Sequence, residues 1–135
     1  MPQGVRMNYQ EQIHDALQRL LQRRNDNAFL IIEEPKTRKF VQFAGSASEG
    51  LAFDLPSQTL SAEELSRAKR ALATIGIRFD EWDVYDKPGG TVVGKQSGFS
   101  KSLGRDLAEA TKLTLMIFIE VYDIKEPYNL SFEEN

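Results

Sequence analysis

Apolar residues along this 135-residue chain recur first at helical spacing. Residues 8–24 place an apolar stripe on one side of a helix, and Asn8 can cap its start. The stripe consists of Tyr9, Ile13, Leu17, Leu20 and Leu21. A second helix is predicted at Ser61, which forms a capping box with Glu64, and Gly76 is placed to end it.

Between these helices the apolar period changes to that of β-strands. Residues 28–33 are apolar on both faces, as in a central strand. Residues 39–44 are rich in aromatic and β-branched residues, and residues 51–55 alternate as in a half-buried strand. The connections are too short for the crossover that parallel strands require. We therefore expect an antiparallel meander.

After the second helix the pattern is more polar. Residues 77–85 are predicted as a strand, residues 86–90 as a turn, and a return strand begins at Thr91. A last helix is expected from Ser100 or Ser102 to Tyr122.

The order of elements is thus α-βββ-α-ββ-α, and the fold class is α+β. We expect helices packed on an antiparallel sheet of about five strands. The length suits a single domain over residues 1–135, with residues 1–7 and 125–135 as terminal extensions.

Composition narrows the function. The net charge is −3, without the concentrated basic footprint typical of nucleic-acid binding. No apolar run reaches the length of a membrane helix or a signal peptide, and cysteine is absent. We therefore predict a cytoplasmic protein with no cofactor and no nucleic-acid or membrane partner.

Residues 89–95 (Gly-Gly-Thr-Val-Val-Gly-Lys) match the spacing of a phosphate-binding loop. That motif continues with Ser or Thr, but here Gln96 follows Lys95. It also requires a helix directly after the loop, whereas Val92 and Val93 favour a strand. The pattern favours a hairpin.

Two other groups could carry chemistry. His14 is the one histidine, and its position on the first helix favours a boundary residue over a catalytic or metal-binding one. The carboxylates Asp80, Glu81, Asp83 and Asp86 favour a solvated edge strand. The alternative is a small-ligand sensor or a hydrolase that uses this acidic segment, residues 80–86.

Two surfaces are candidates for binding. Period-two alternation places Phe40, Gln42, Ala44 and Ala52 on one sheet face, which either packs beneath another helix or binds a peptide. On the last helix, extra apolar positions widen the inner stripe, so this helix is buried on more than one side or forms a dimer interface. Those positions are Leu115, Phe118 and Tyr122.

Three segments resemble the type III secretion chaperone-like fold, in particular its YbjN-like and TY-Chap branches. Residues 39–44 (Lys-Phe-Val-Gln-Phe-Ala) resemble its second strand, and residues 65–76 its middle helix, which ends in Leu or Ile followed by Gly. Residues 113–130 resemble its last helix and tail, with Phe-Ile-Glu-Val-Tyr and Pro-Tyr-Asn-Leu. Ile77 stands where TY-Chap proteins often have Trp.

The resemblance implies a small, often dimeric domain that binds proteins or peptides without chemistry. Together with the candidate surfaces, it leads us to expect a non-catalytic, chaperone-like module. We expect the module to be homodimeric and to bind a protein or peptide client.

Overall fold

The computed structural model describes residues 9–25, 27–125 and 128–135. The helices are α1 (Tyr9–Leu21), α2 (Ala62–Ala73) and α3 (Leu107–Met116), and α3 continues as a π-helical segment, Ile117–Val121. The strands are β1 (Phe29–Glu34), β2 (Lys39–Ser46), β3 (Gly50–Pro56), β4 (Asp80–Tyr85), β5 (Val92–Gly104) and β6 (Ser131–Glu134). The predicted helix cap Asn8 and the predicted extension 1–7 lie outside the described residues.

The strands form one sheet in the order β4-β5-β3-β2-β1-β6, and every neighbouring pair is antiparallel. The predicted α+β class with an antiparallel sheet is confirmed. The sheet has six strands instead of about five. The sixth is β6, so residues 131–134 of the predicted C-terminal extension belong to the sheet.

One face of the sheet packs against the helices. Strand residues Val41, Phe43 and Phe53 are almost fully buried there, together with Ile13 and Leu17 of α1. Helix α1 lies against α3 and the central strands, and α2 packs against the π-helical segment. The helices therefore cover one face of the sheet, and the alternate strand residues point the other way.

The second helix follows its sequence signals. Ser61 accepts a hydrogen bond from the Glu64 amide, and the Glu64 carboxylate accepts one from the Ser61 amide. Gly76 follows with a φ of 80°, a conformation in which a Cβ would be strained. The predicted capping box and glycine stop are confirmed.

The start of the last helix was predicted wrongly. Ser100 and Ser102 lie in β5, and Asp106 caps α3 by accepting a hydrogen bond from the Glu109 amide. The strand persists because Phe99 is buried opposite Leu55, and Gly98 lets the backbones approach closely. A Cβ on Gly98 would lie 2.5 Å from the Leu55 carbonyl oxygen.

Candidate functional site

The predicted sheet-face residues lie together on the face opposite the helices. Ala44 and Ala52 are direct cross-strand neighbours, and Gln42 lies opposite Asp54. Phe40 and Gln42 are half-buried, whereas Ala44 and Ala52 are exposed. We call this side of strands β1 to β3 the open face; it consists of Phe29, Ile31, Glu33, Phe40, Gln42, Ala44, Ala52 and Asp54.

Strand β1 contributes two apolar side chains that the sequence pattern did not single out. Phe29 is paired with Ala44 and Ile31 with Gln42, and both are half-buried. Every second residue of β1 is buried on the helix side, but both phases are apolar up to Ile32. The apolar pattern of β1 alone therefore does not show which of its residues face outward. The alternation in β2 could have shown it, because paired residues of neighbouring strands face the same side.

A depression of about 400 Å³ lies at the centre of the open face. Its lining is mostly apolar, with one polar pair in which the Gln42 Nε2 donates to Asp54 Oδ2 at 2.8 Å. The lining residues are Phe29, Ile31, Gln42, Phe43, Ala44 and Asp54. Such a surface offers apolar contact area together with a carboxylate that accepts hydrogen bonds.

Phe40 is held from the helix side of the sheet. The hydroxyl of Tyr122 donates to the Phe40 carbonyl oxygen, and the neighbouring Lys39 ammonium lies 3.0 Å from the Glu64 carboxylate. The sheet strand, the start of α2 and the end of the last helix are therefore joined directly beneath the open face.

Burial and hydrogen bonding act in opposite directions on the ionisation of this network. Burial raises the pKa of the Tyr122 hydroxyl, and the nearby Glu64 carboxylate raises it further, so Tyr122 stays a donor. Burial would also raise the pKa of Glu64, but hydrogen bonds from the Ser61 amide and Lys39 outweigh it. The pKa of Glu64 therefore lies below its ordinary value.

Two of the three predicted dimer residues, Phe118 and Tyr122, do not lie on the surface. Phe118 is 0% exposed and Tyr122 7% exposed within the protomer, where both join the core. The ring centroid of Phe118 lies 5.9 Å from that of Tyr128, and the Tyr122 hydroxyl donates to the Phe40 carbonyl oxygen. Assigning these two side chains to an intersubunit face was wrong, because the protomer's own core already covers them. Leu115 is half-buried.

The phosphate-loop pattern forms a hairpin, as predicted. Strands β4 and β5 pair antiparallel, and the Asp86 amide donates to the Thr91 carbonyl oxygen at 3.0 Å across the turn. Val92 begins β5, and Lys95 lies exposed within that strand. A strand therefore stands where a phosphate site needs a helix N-terminus.

The acidic segment lies on an edge strand. Asp80, Glu81 and Asp83 are exposed on β4, which is the first strand in the sheet order. Strand alternation separates Asp80 from the other two carboxylates. Within the described part of the chain, no group of three or more histidine or carboxylate residues could hold a metal ion.

His14 is half-exposed at the edge of the apolar stripe of α1, as predicted. Its Nδ1 lies 3.7 Å from Asp15 Oδ1. A depression of about 360 Å³ between α1 and α3 runs past it, lined by Gln10, Glu11, His14, Asp15, Ala108, Thr111 and Lys112. The Thr111 hydroxyl in this lining donates to the Leu107 carbonyl oxygen and not to the imidazole, so the described residues form no Ser/Thr–His catalytic pair here.

Among the helices of residues 9–25, 27–125 and 128–135, none combines the length and apolar character needed to cross a membrane. No protein-family model matches the chain, and no curated protein or solved structure matches it either. The resemblance to the type III secretion chaperone-like fold therefore stays a prediction.

Proposed function

We propose that this protein is a non-catalytic, chaperone-like module that binds a segment of another protein on its open face. The observation that carries the proposal is the apolar depression formed by Phe29, Ile31 and Ala44 on the sheet face opposite the helices. An apolar patch with a few polar groups on a stable scaffold is a typical surface for a protein partner.

The rigidity of the scaffold supports the same function. The Tyr122 hydroxyl, Lys39 and Glu64 fix strand β2 from behind, so the open face needs little ordering when a partner binds. A preorganised surface loses less conformational freedom on association, which favours affinity. The resemblance to secretion chaperones, which hold an unfolded segment of their client, agrees with this.

The competing hypothesis was a hydrolase or small-ligand sensor that uses residues 80–86. An acid–base pair needs one carboxyl group in a site that shields it from water. Asp80, Glu81 and Asp83 are exposed, and Asp80 lies on the opposite side of the strand from the other two. This arrangement favours the binding module over the hydrolase.

Homodimerisation and a cytoplasmic location belong to the same proposal. With Phe118 and Tyr122 in the core, the surface left for a helix-mediated dimer is half-buried Leu115 and, one turn later, exposed Ile119. Light scattering should give twice the protomer mass, and Ile119→Lys should return the mass of one protomer. Cell fractionation checks the location.

Site-specific photo-crosslinking tests the open face. A photoreactive amino acid at Ala52 should crosslink to a partner protein in host cells, whereas the same residue at exposed Ala73 on α2 should not. The crosslinked segment, made as a peptide, should then bind the purified protein.

A matched pair of variants decides the outcome. Ala44→Arg places a bulky cation in the middle of the open face and should lower the affinity for the peptide at least tenfold. Ala73→Arg should leave this affinity unchanged. Equal affinity for Ala44→Arg and the unmodified protein would contradict the proposed function.

A further inference from the structure

Strand β4 and the first part of β5 form an arm at one end of the sheet. Residues 80–83 and 85 of β4 are exposed, as are residues 92–96 of β5. The arm holds most of the exposed large apolar side chains of the described residues: Trp82 at 38%, Tyr85 at 51%, Val92 at 45% and Val93 at 64% exposure. A two-stranded ribbon is barely stable alone, so covering this surface would stabilise it.

The outer edge of β4 is unpaired among the described residues. The Glu81 amide donates to the Asp80 side chain at 2.9 Å, as expected of an amide that points away from β5. In an antiparallel ladder, alternate residues direct their backbone groups toward the partner strand. The backbone groups of Glu81 and Asp83 therefore face the free edge.

The side chains of β4 separate into two rows, one with Trp82 and Val84 beside Asp80 and the other with Glu81 and Asp83. Trp82 and Val84 lie on the side of the open face, because Trp82 pairs with Gln96 and Val84 with Gly94 in register with the sheet. Glu81 and Asp83 lie on the other side. Asp83 has Lys95 as its cross-strand partner, but neither carboxylate lies within hydrogen-bond or ion-pair distance of a described side chain.

A second copy of this chain fits the edge poorly. Two-fold antiparallel pairing of β4 with itself places residues of the same side opposite each other. Only two such registers overlap more than half of the strand. One sets Glu81 opposite the partner's Asp83, and the other sets Asp83 opposite the partner's Asp83. Like charges directly opposite are destabilising, so the edge disfavours two-fold pairing with the β4 of a second copy.

We propose that the free edge of β4 binds an extended strand of another protein in which Lys or Arg alternates with apolar residues. The backbone of that strand would pair with Glu81 and Asp83, its cations would lie opposite the two free carboxylates, and its apolar side chains would cover Trp82 and Val84. This surface is separate from the open face, and the proposal does not depend on the function assigned there.

Binding of a defined peptide tests the proposal. The probe is a short labelled peptide in which Lys and Val alternate. We expect it to bind, to shift the fluorescence of Trp82, which is the one tryptophan of the chain, and to slow hydrogen exchange at the Asp83 amide. A peptide with the same composition, but with its Lys and Val residues in two blocks, should bind at least tenfold more weakly.

Charge reversal gives the decisive variant. The double variant Glu81→Lys with Asp83→Lys should bind the Lys–Val peptide roughly tenfold more weakly and a matching Glu–Val peptide more tightly. Glu63→Lys with Glu120→Lys changes the net charge equally on exposed helical positions and should leave both affinities unchanged. Equal losses in the two double variants, or equal binding of the alternating and block peptides, would overturn the proposal. Open-face variants such as Ala44→Arg should not alter the Lys–Val peptide affinity.

Discussion

Arg19 of α1 and Glu134 of β6 form a two-pronged salt bridge. Arg19 Nε lies 2.9 Å from Glu134 Oε1, and Nη2 lies 2.8 Å from Oε2. This contact attaches the last strand of the sheet to the first helix. Two backbone hydrogen bonds join the residue after β6 to the start of β1, because the amides of Phe29 and Asn135 each donate to the other residue's carbonyl oxygen.

Arg19→Ala should loosen β6 more than it lowers global stability. Both side chains are partly exposed, so the salt bridge contributes only about 0.5 kcal/mol. Hydrogen exchange at the Phe29 amide should accelerate, while exchange at buried Phe43 of β2 should not change. Arg24→Ala, at an exposed position just after α1, is the control. Unchanged exchange at Phe29 would show that the backbone bonds hold β6 without the salt bridge.

Glu64 should make stability depend on acid pH. Its pKa is lower in the folded protein than in the unfolded chain, so its contribution is present above the unfolded pKa of about 4.3 and disappears as pH falls through the folded pKa. We expect Glu64→Gln to lower the free energy of unfolding at pH 7 by about 1–3 kcal/mol, because it weakens the bonds to Ser61 and Lys39.

Urea unfolding at neutral pH and near pH 3 measures this difference. The gap between the native protein and Glu64→Gln should narrow at the lower pH, because the contribution of the Glu64 carboxylate is lost as it becomes protonated. Glu63→Gln, on an exposed neighbour, should show no such gap. A gap that stays constant with pH would contradict the assigned ionisation.

Tyr122→Phe should destabilise the protein by about 1–2 kcal/mol, because the Phe40 carbonyl loses a buried donor. The aromatic ring and its packing beside Phe118 are kept in this variant. Tyr85→Phe removes the same hydroxyl from an exposed position on β4 and should have no effect. Thermal unfolding of the two variants compares them directly, and equal midpoints would contradict a structural role for the Tyr122 hydroxyl.

Asp106→Ala should cost about 1 kcal/mol, because the Glu109 amide at the start of α3 loses its acceptor. Ser102→Ala, at the position predicted from sequence as a helix cap, should leave stability nearly unchanged, since Ser102 is exposed on β5. Urea unfolding of the two variants tests where the helix begins. A larger loss for Ser102→Ala would contradict the strand assignment.

The features that the sequence predicted well have local causes. The capping box of Ser61 and Glu64 acts within one helical turn, and the alternation in β2 and β3 records burial on one side of each strand. These patterns sufficed for the fold class and for the positions of Phe40, Gln42, Ala44 and Ala52 on a common face.

The features that it missed depend on distant partners. Strand β5 continues through Ser100 and Ser102 because Phe99 finds a buried position beside Leu55, which polar residues near a helix start do not reveal. Strand β6 is short and forms only because β1 offers it an edge. The sequence pattern made Phe118 and Tyr122 candidates for a surface, but Tyr128 packs against Phe118 and the Phe40 carbonyl accepts a hydrogen bond from Tyr122.

The pairing of β6 with β1 sets an order in time. Strand β1 meets β2 across a turn of a few residues, but its other neighbour arrives only with residues 131–134. Closing a short loop loses little chain entropy, whereas this second pairing spans most of the sequence. While the chain is being synthesised, the edge of β1 that later pairs with β6 therefore has no neighbouring strand, and such an unpaired edge is open to wrong pairing at Leu30 to Glu33.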